Sequence, residues 1–140
     1  MTELNLDELK KIAERKNRYE YQIKRLASAK KQTSCIEEAV TKAAENIRSG
    51  KKSFVIYGEP QSGKTEMMIC LTGMLIDEGY SFVLHLLNDS VDLLDQNLGR
   101  FKESGLAPAA RNFSEILDPA VKINGGQHVI FVTAHPFCTQ

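Results

Sequence analysis

From Leu9 onward the apolar side chains recur at three- and four-residue spacings, Leu9, Ile12, Tyr19, Ile23 and Leu26, with Lys16 breaking the stripe. That period places them on one face of a helix, and the dense flanking charge leaves the other face to water. Fewer than three heptads are present, which disfavours a coiled-coil dimer. Residues 1–33 therefore form an expected amphipathic segment that lies across a domain or joins it to another part. Lys30 and Lys31 are expected to be its solvated end.

A second period starts at Ser34, where Glu37 three residues on completes a capping box that satisfies two backbone donors. Ile36, Val40, Ala43, Ala44 and Ile47 share one face of the predicted helix, which stops at Gly50. The period then changes. Residues 53–57 are a short apolar run of buried-strand type, residues 66–78 are again helical and end at Gly79, and residues 82–87 form a second apolar run. Asp89 or Ser90 can cap a further helix bearing Leu93, Leu94, Asn97, Leu98 and Phe101, closed by Gly105 and Pro108. Residues 113–121 suggest a short helical piece interrupted by proline, Asn124 to Gly126 a turn, and residues 129–133 a third strand. Strands alternating with helices predict an α/β fold, a parallel sheet with helices on both faces, over residues 34–140.

Composition adds little to this picture and excludes some alternatives. The chain has 140 residues, the size of one domain, with 42% hydrophobic and 26% charged positions. Eighteen basic residues balance eighteen acidic ones, so there is no global pull toward nucleic acid or an anionic membrane. Cys35, Cys70 and Cys138 form no CxxC pair, which fits free thiols in a reducing compartment, and the polar, acidic N-terminus is unlike a secretory signal. The expected location is the cytoplasm, with no membrane span.

The candidate chemistry lies between the first apolar run and the helix after it: Gly58, Glu59, Pro60, Gln61, Ser62, Gly63, Lys64 and Thr65. This is the GxxxxGK[ST] phosphate loop. Glycine permits backbone turns and a close approach that a Cβ would block, so that successive N–H groups can converge on phosphate oxygens. Lys64 can reach the β- and γ-phosphates, Thr65 offers a hydroxyl to Mg²⁺, and the helix beginning there, with Glu66 in its first turn, points its positive end at the anion. Chance produces this pattern in roughly half a per cent of chains of this length, and its strand-to-helix context makes coincidence rarer. The expected ligand is a nucleoside triphosphate with magnesium, most simply ATP, with Lys64 and Thr65 as the groups that act on it.

On these residues the chain resembles P-loop NTPases, specifically the first RecA-like lobe of superfamily 2 helicases and the helicase-like translocases of restriction and antiphage systems. The resemblance covers about residues 34–133. It is carried by Gln61, Ser62, Gly63, Lys64 and Thr65, the form the first helicase motif takes in many restriction-associated proteins. After the second apolar run, Ser90, Asp92, Leu93 and Gln96 match the segment with which DEAD-box helicases contact a nucleic-acid backbone, whereas Asp89 stands where those proteins have proline. Thr133 ends a strand similar to the one leading into the next such motif. The resemblance implies DNA or RNA as a partner, with Ser90, Gln96 and Thr133 as contacts, and a second RecA-like lobe or partner subunit. Neither Gln32 nor Glu37 matches the adenine-sensing glutamine of DEAD-box proteins. The strand ending in Asp-Glu that orients magnesium and water in these motors is not among the 140 residues, so an N-terminal piece of a longer protein is expected.

Two other readings stay open at this point. A stand-alone P-loop kinase or NTPase would use Asp89, after the second apolar run, for magnesium. A non-catalytic interaction module would bind ATP only for stability. His135 and Cys138 supply two of the four ligands a structural zinc needs, and His85 and His128 have no nucleophile nearby in sequence, so all four are expected to be structural. Met67, Met68 and Met74 are expected to fill core gaps.

Overall fold

The computed structural model describes residues 17–59, 63–88, 90–120 and 126–133. Leu9, Ile12 and Lys16 of the first stripe, and His135 and Cys138, fall outside them. The chain divides into two compact units, Met1–Glu78 and Gly79–Gln140.

The first unit holds α1 (Arg18–Ser28), α2 (Ser34–Arg48) and α3 (Lys64–Asp77). Both α1 and α2 pack on α3. Leu26, Ile36, Val40 and Cys70 are buried together, with Tyr19, Ile23, Met67, Leu71 and Met74 packed against them. The described part of the first stripe thus docks on α3, and Met67 and Met74 fill the gaps between helices. Gly50, at φ 83°, ends α2 in a Schellman turn: its N–H reaches the Ile47 carbonyl, and the Lys51 N–H reaches that of Asn46. Lys30, at φ 58°, ends α1 in the same way, with the Lys31 N–H on the Leu26 carbonyl.

Two expectations fail here. The N-cap of α2 is Thr33, not Ser34, and its hydroxyl meets Glu37 Oε2 at 3.2 Å with no side-chain bond to a backbone N–H. No capping box forms, because Ser34 already lies inside the helix and the residue three after Thr33 is Ile36. Residues 53–57 form no strand: Val55 and Tyr57 are 91% and 87% exposed. A strand exists only through hydrogen bonds to a neighbour, and among the described residues the sheet contains three other segments.

The second unit consists of β1 (Phe82–Leu87), α4 (Val91–Glu103), β2 (Arg111–Asn112), α5 (Phe113–Ile116) and β3 (His128–Thr133). Its sheet is parallel, ordered β1-β3-β2, and the register runs from Phe82 opposite His128 to Leu87 opposite Thr133. The α/β class and parallel sheet are as the alternating pattern predicts. On β1, exposed Phe82, Leu84 and Leu86 alternate with half-buried Val83, His85 and Leu87. Leu94, Leu98 and Phe101 are the buried positions of α4, which packs on β3. Phe101 meets Phe131 edge-on at 4.8 Å, and His85 stacks on Phe131 at 4.6 Å. The expected helical piece over 113–121 stops at Ile116. Pro119 disfavours helical geometry in the residue before it, and Asp118 Oδ1 accepts the Ala120 N–H at 2.9 Å in a turn instead. The two-residue strand β2 is too short to carry a period and is absent from the sequence reading.

Candidate nucleotide site

Gly63 is the N-cap of α3, with φ 80° and ψ 30°. A Cβ there would meet only Ile36 Cδ1 at 3.9 Å, an ordinary contact, so it is the left-handed backbone and not crowding that calls for glycine. Having no side chain, Gly63 cannot cap the helix it opens. Lys64 is exposed at the first helical position, and Thr65 follows half-buried. Gly58 and Glu59 lie at the other end of the loop; Pro60, Gln61 and Ser62 are outside the described residues.

Beside this helix start lies an open cleft of about 610 Å³. Ile36, Ala39, Ile56, Tyr57, Met67 and Met68 form its apolar wall, while Gly58, Glu59, Gly63 and Lys64 line its polar side. An apolar wall joined to a glycine-rich margin that carries Lys64, with Glu59 on the same side, suits a ligand with a flat apolar part and an anionic tail reaching Lys64. Met68, expected in the core, lines this cleft. Ile56 and Tyr57, from the run that forms no strand, thus become part of a ligand-sized wall. Cys35 stands exposed in the same cleft, whereas Cys70 is wholly buried, and burial first and the Glu66 charge second push its thiol up to about 12.

Glu66 engages residues that the sequence reading did not assign to the site. Its Oε2 accepts from Arg25 Nη2 at 2.5 Å, and its Oε1 is 3.6 Å from Lys31 Nζ. Lys31 is therefore more than a solvated helix end. The Arg25 guanidinium also donates through Nε to Gln22 Oε1 at 2.7 Å, and Gln22 is fully buried. Gln22 and Arg25, spaced as neighbours on one helical face, are the only trace of this arrangement in the sequence.

In the second unit, Ser90 caps α4, its Oγ accepting the Leu93 N–H at 3.3 Å, which decides between the two candidate caps. Gln96 is exposed on α4, and Thr133 is half-buried at the end of β3, opposite Leu87. Ser90 and Thr133 thus follow or occupy the carboxyl ends of adjacent parallel strands, where open α/β sheets bind ligands. Asp89 falls outside the described residues. His85 is enclosed by Phe101 and Phe131, and burial pushes its imidazole down to about 4. The His128 ring lies 5.1 Å from that of Phe82. Among the described residues no three His, Cys, Asp or Glu side chains gather as a metal site, and no helix is long and apolar enough to cross a membrane.

A family model described as type III restriction enzyme, res subunit, matches residues 15–138. No curated protein and no solved structure matches the chain.

Proposed function

Because this chain belongs to the type III restriction enzyme res-subunit family, a family of helicase-like P-loop lobes, we propose that it binds ATP with magnesium as the nucleotide-binding lobe of a nucleic-acid-dependent ATPase. The α/β fold with its parallel sheet is consistent with a RecA-like lobe. One observation carries the reading: a helix opens at left-handed Gly63, which has no side chain to cap it, presents Lys64 to solvent, and borders a cleft with an apolar wall. The amides of that first turn hold the phosphates, Lys64 neutralises them, and the cleft takes the base.

The residues present fit magnesium in the one way the motif requires, through the Thr65 hydroxyl at the second position of α3 together with phosphate oxygens. When bound, the ion neutralises charge developing on the transferred phosphoryl group. Ser90, Gln96 and Thr133 are the proposed nucleic-acid contacts. In this reading the Ser90 hydroxyl, already accepting the Leu93 N–H, keeps its own proton to offer a backbone phosphate.

Titration of a fluorescent ATP analogue against the wild type and Lys64→Ala tests the nucleotide assignment. Lys64→Ala is expected to lose most binding while keeping the wild-type circular dichroism, since the side chain is exposed. Undiminished affinity in that folded variant would remove the phosphate-loop assignment.

A further inference from the structure

Glu66 occupies the third position of α3, counted from its N-cap Gly63. An acidic side chain at that position ordinarily folds back toward the open amides of the first turn. Here those amides are the proposed phosphate donors. A carboxylate left among them competes with phosphate for the same positive helix end and repels it.

The structure turns the carboxylate the other way. One Glu66 oxygen is held by Arg25 at 2.5 Å and the other faces Lys31 at 3.6 Å, so both are directed to the α1 side. Each cation is itself anchored. Arg25 is fixed through Nε by buried Gln22, and Lys31 is delivered by the left-handed turn at Lys30. The Glu66 side chain is 14% exposed and that of Arg25 28%, so water screens the pair less than it would a surface contact.

We propose that Arg25, assisted by Lys31, is a positioning residue of the nucleotide site, and that α1 sets the affinity for triphosphate by drawing the Glu66 carboxylate off the phosphate-binding helix start. The proposal rests on Gly58–Thr65 being the phosphate loop. It differs from a plain staple between helices in one respect: what Arg25 suppresses is a negative charge, so removing that charge must make Arg25 dispensable for binding.

The experiment is titration of the full chain with the fluorescent ATP analogue in the wild type, Arg25→Ala, Glu66→Gln, the double variant and Lys64→Ala, at low and high salt. Arg25→Ala is expected to bind roughly tenfold more weakly at low salt, with the deficit shrinking as salt rises. Glu66→Gln is expected to bind more tightly than the wild type, and the double variant to recover to within about threefold of Glu66→Gln. A double variant as weak as Arg25→Ala would show a staple and overturn the proposal. So would an undiminished affinity in Arg25→Ala, or weaker binding by Glu66→Gln. Should Arg25→Ala lose its circular dichroism, Lys31→Ala, whose side chain is 56% exposed, and Glu66→Gln carry the test in opposite directions. Absence of Lys64-dependent binding in the wild type is a separate outcome, one that removes the nucleotide reading and this inference together.

Discussion

Arg18 Nη1 lies 3.2 Å from Asp77 Oδ1, joining the first residue of α1 to the last residue of α3. The other Asp77 oxygen accepts the Tyr19 N–H at 3.1 Å. A carboxylate from the end of one helix thereby caps the start of another, whose own N-cap, Asn17, makes no side-chain bond. With Arg25 on Glu66 at the opposite end, α1 lies antiparallel to α3 and is fastened near both of its termini.

Asp77→Ala should destabilise the protein by about 1–2 kcal/mol, since it removes a cap and a partly buried ion pair together. Arg18→Ala removes the pair but leaves the Tyr19 cap and should cost less. Urea unfolding of both variants gives the comparison; equal losses would mean that the Tyr19 cap contributes nothing.

Lys30→Gly should stabilise the chain by about 0.5–1 kcal/mol, because φ 58° strains a side chain bearing a Cβ and suits glycine. Destabilisation in the same urea experiment would show that the Lys30 side chain has a role outweighing its backbone.

Thr65→Ala should weaken binding of the ATP analogue with magnesium by about tenfold and alter metal-free binding much less, since the hydroxyl is the proposed metal ligand. Affinities measured with magnesium and with a chelator decide this. The same loss in both would exclude a metal role for Thr65.

In a Cys138→Ser background, Cys35 should react quickly with a thiol reagent and Cys70 only as the protein opens. Cys35 is exposed, whereas Cys70 is wholly buried with its thiol pushed up to about 12. Saturating ATP analogue should slow the Cys35 reaction, because that side chain lines the cleft. An unprotected Cys35 would indicate that the base binds elsewhere.

Acidification should destabilise the fold through His85, whose imidazole burial pushes down to about 4 from its ordinary value of about 6.5. Above about 6.5 it is neutral both folded and unfolded. Between the two values the unfolded chain takes up a proton that the native state refuses, so stability falls as pH drops through that window and levels off below it. The loss is about 3 kcal/mol at most. His85→Phe should flatten this part of the curve of unfolding free energy against pH, and an unchanged slope would assign the acid sensitivity to other groups.

The parts of this protein legible in its sequence are those whose cause is local. The helices follow from three- and four-residue spacing, and the turn at Gly50 from the backbone freedom of one residue. The phosphate loop is legible because its chemistry is carried by contiguous residues; Gly63, Lys64 and Thr65 fall together at the helix start without help from any distant segment. Membership of the res-subunit family agrees with that motif.

Other features depend on partners distant in the chain. Residues 53–57 have strand-like composition, but a strand is made by its neighbour's hydrogen bonds, which composition cannot supply. The N-cap of α2 is Thr33 and not Ser34, although only Ser34 has Glu three residues on, because backbone geometry and not the side-chain pattern sets where the helix begins. His85 became an aromatic-stacked, acid-resistant core residue through Phe101 and Phe131, 16 and 46 positions away. The sequence by itself determined that a helix starts at Lys64 directly after the glycine of a phosphate-loop pattern. Only the tertiary structure decided what faces Glu66, because its partner Arg25 stands 41 residues earlier and is brought there by the packing of α1 on α3.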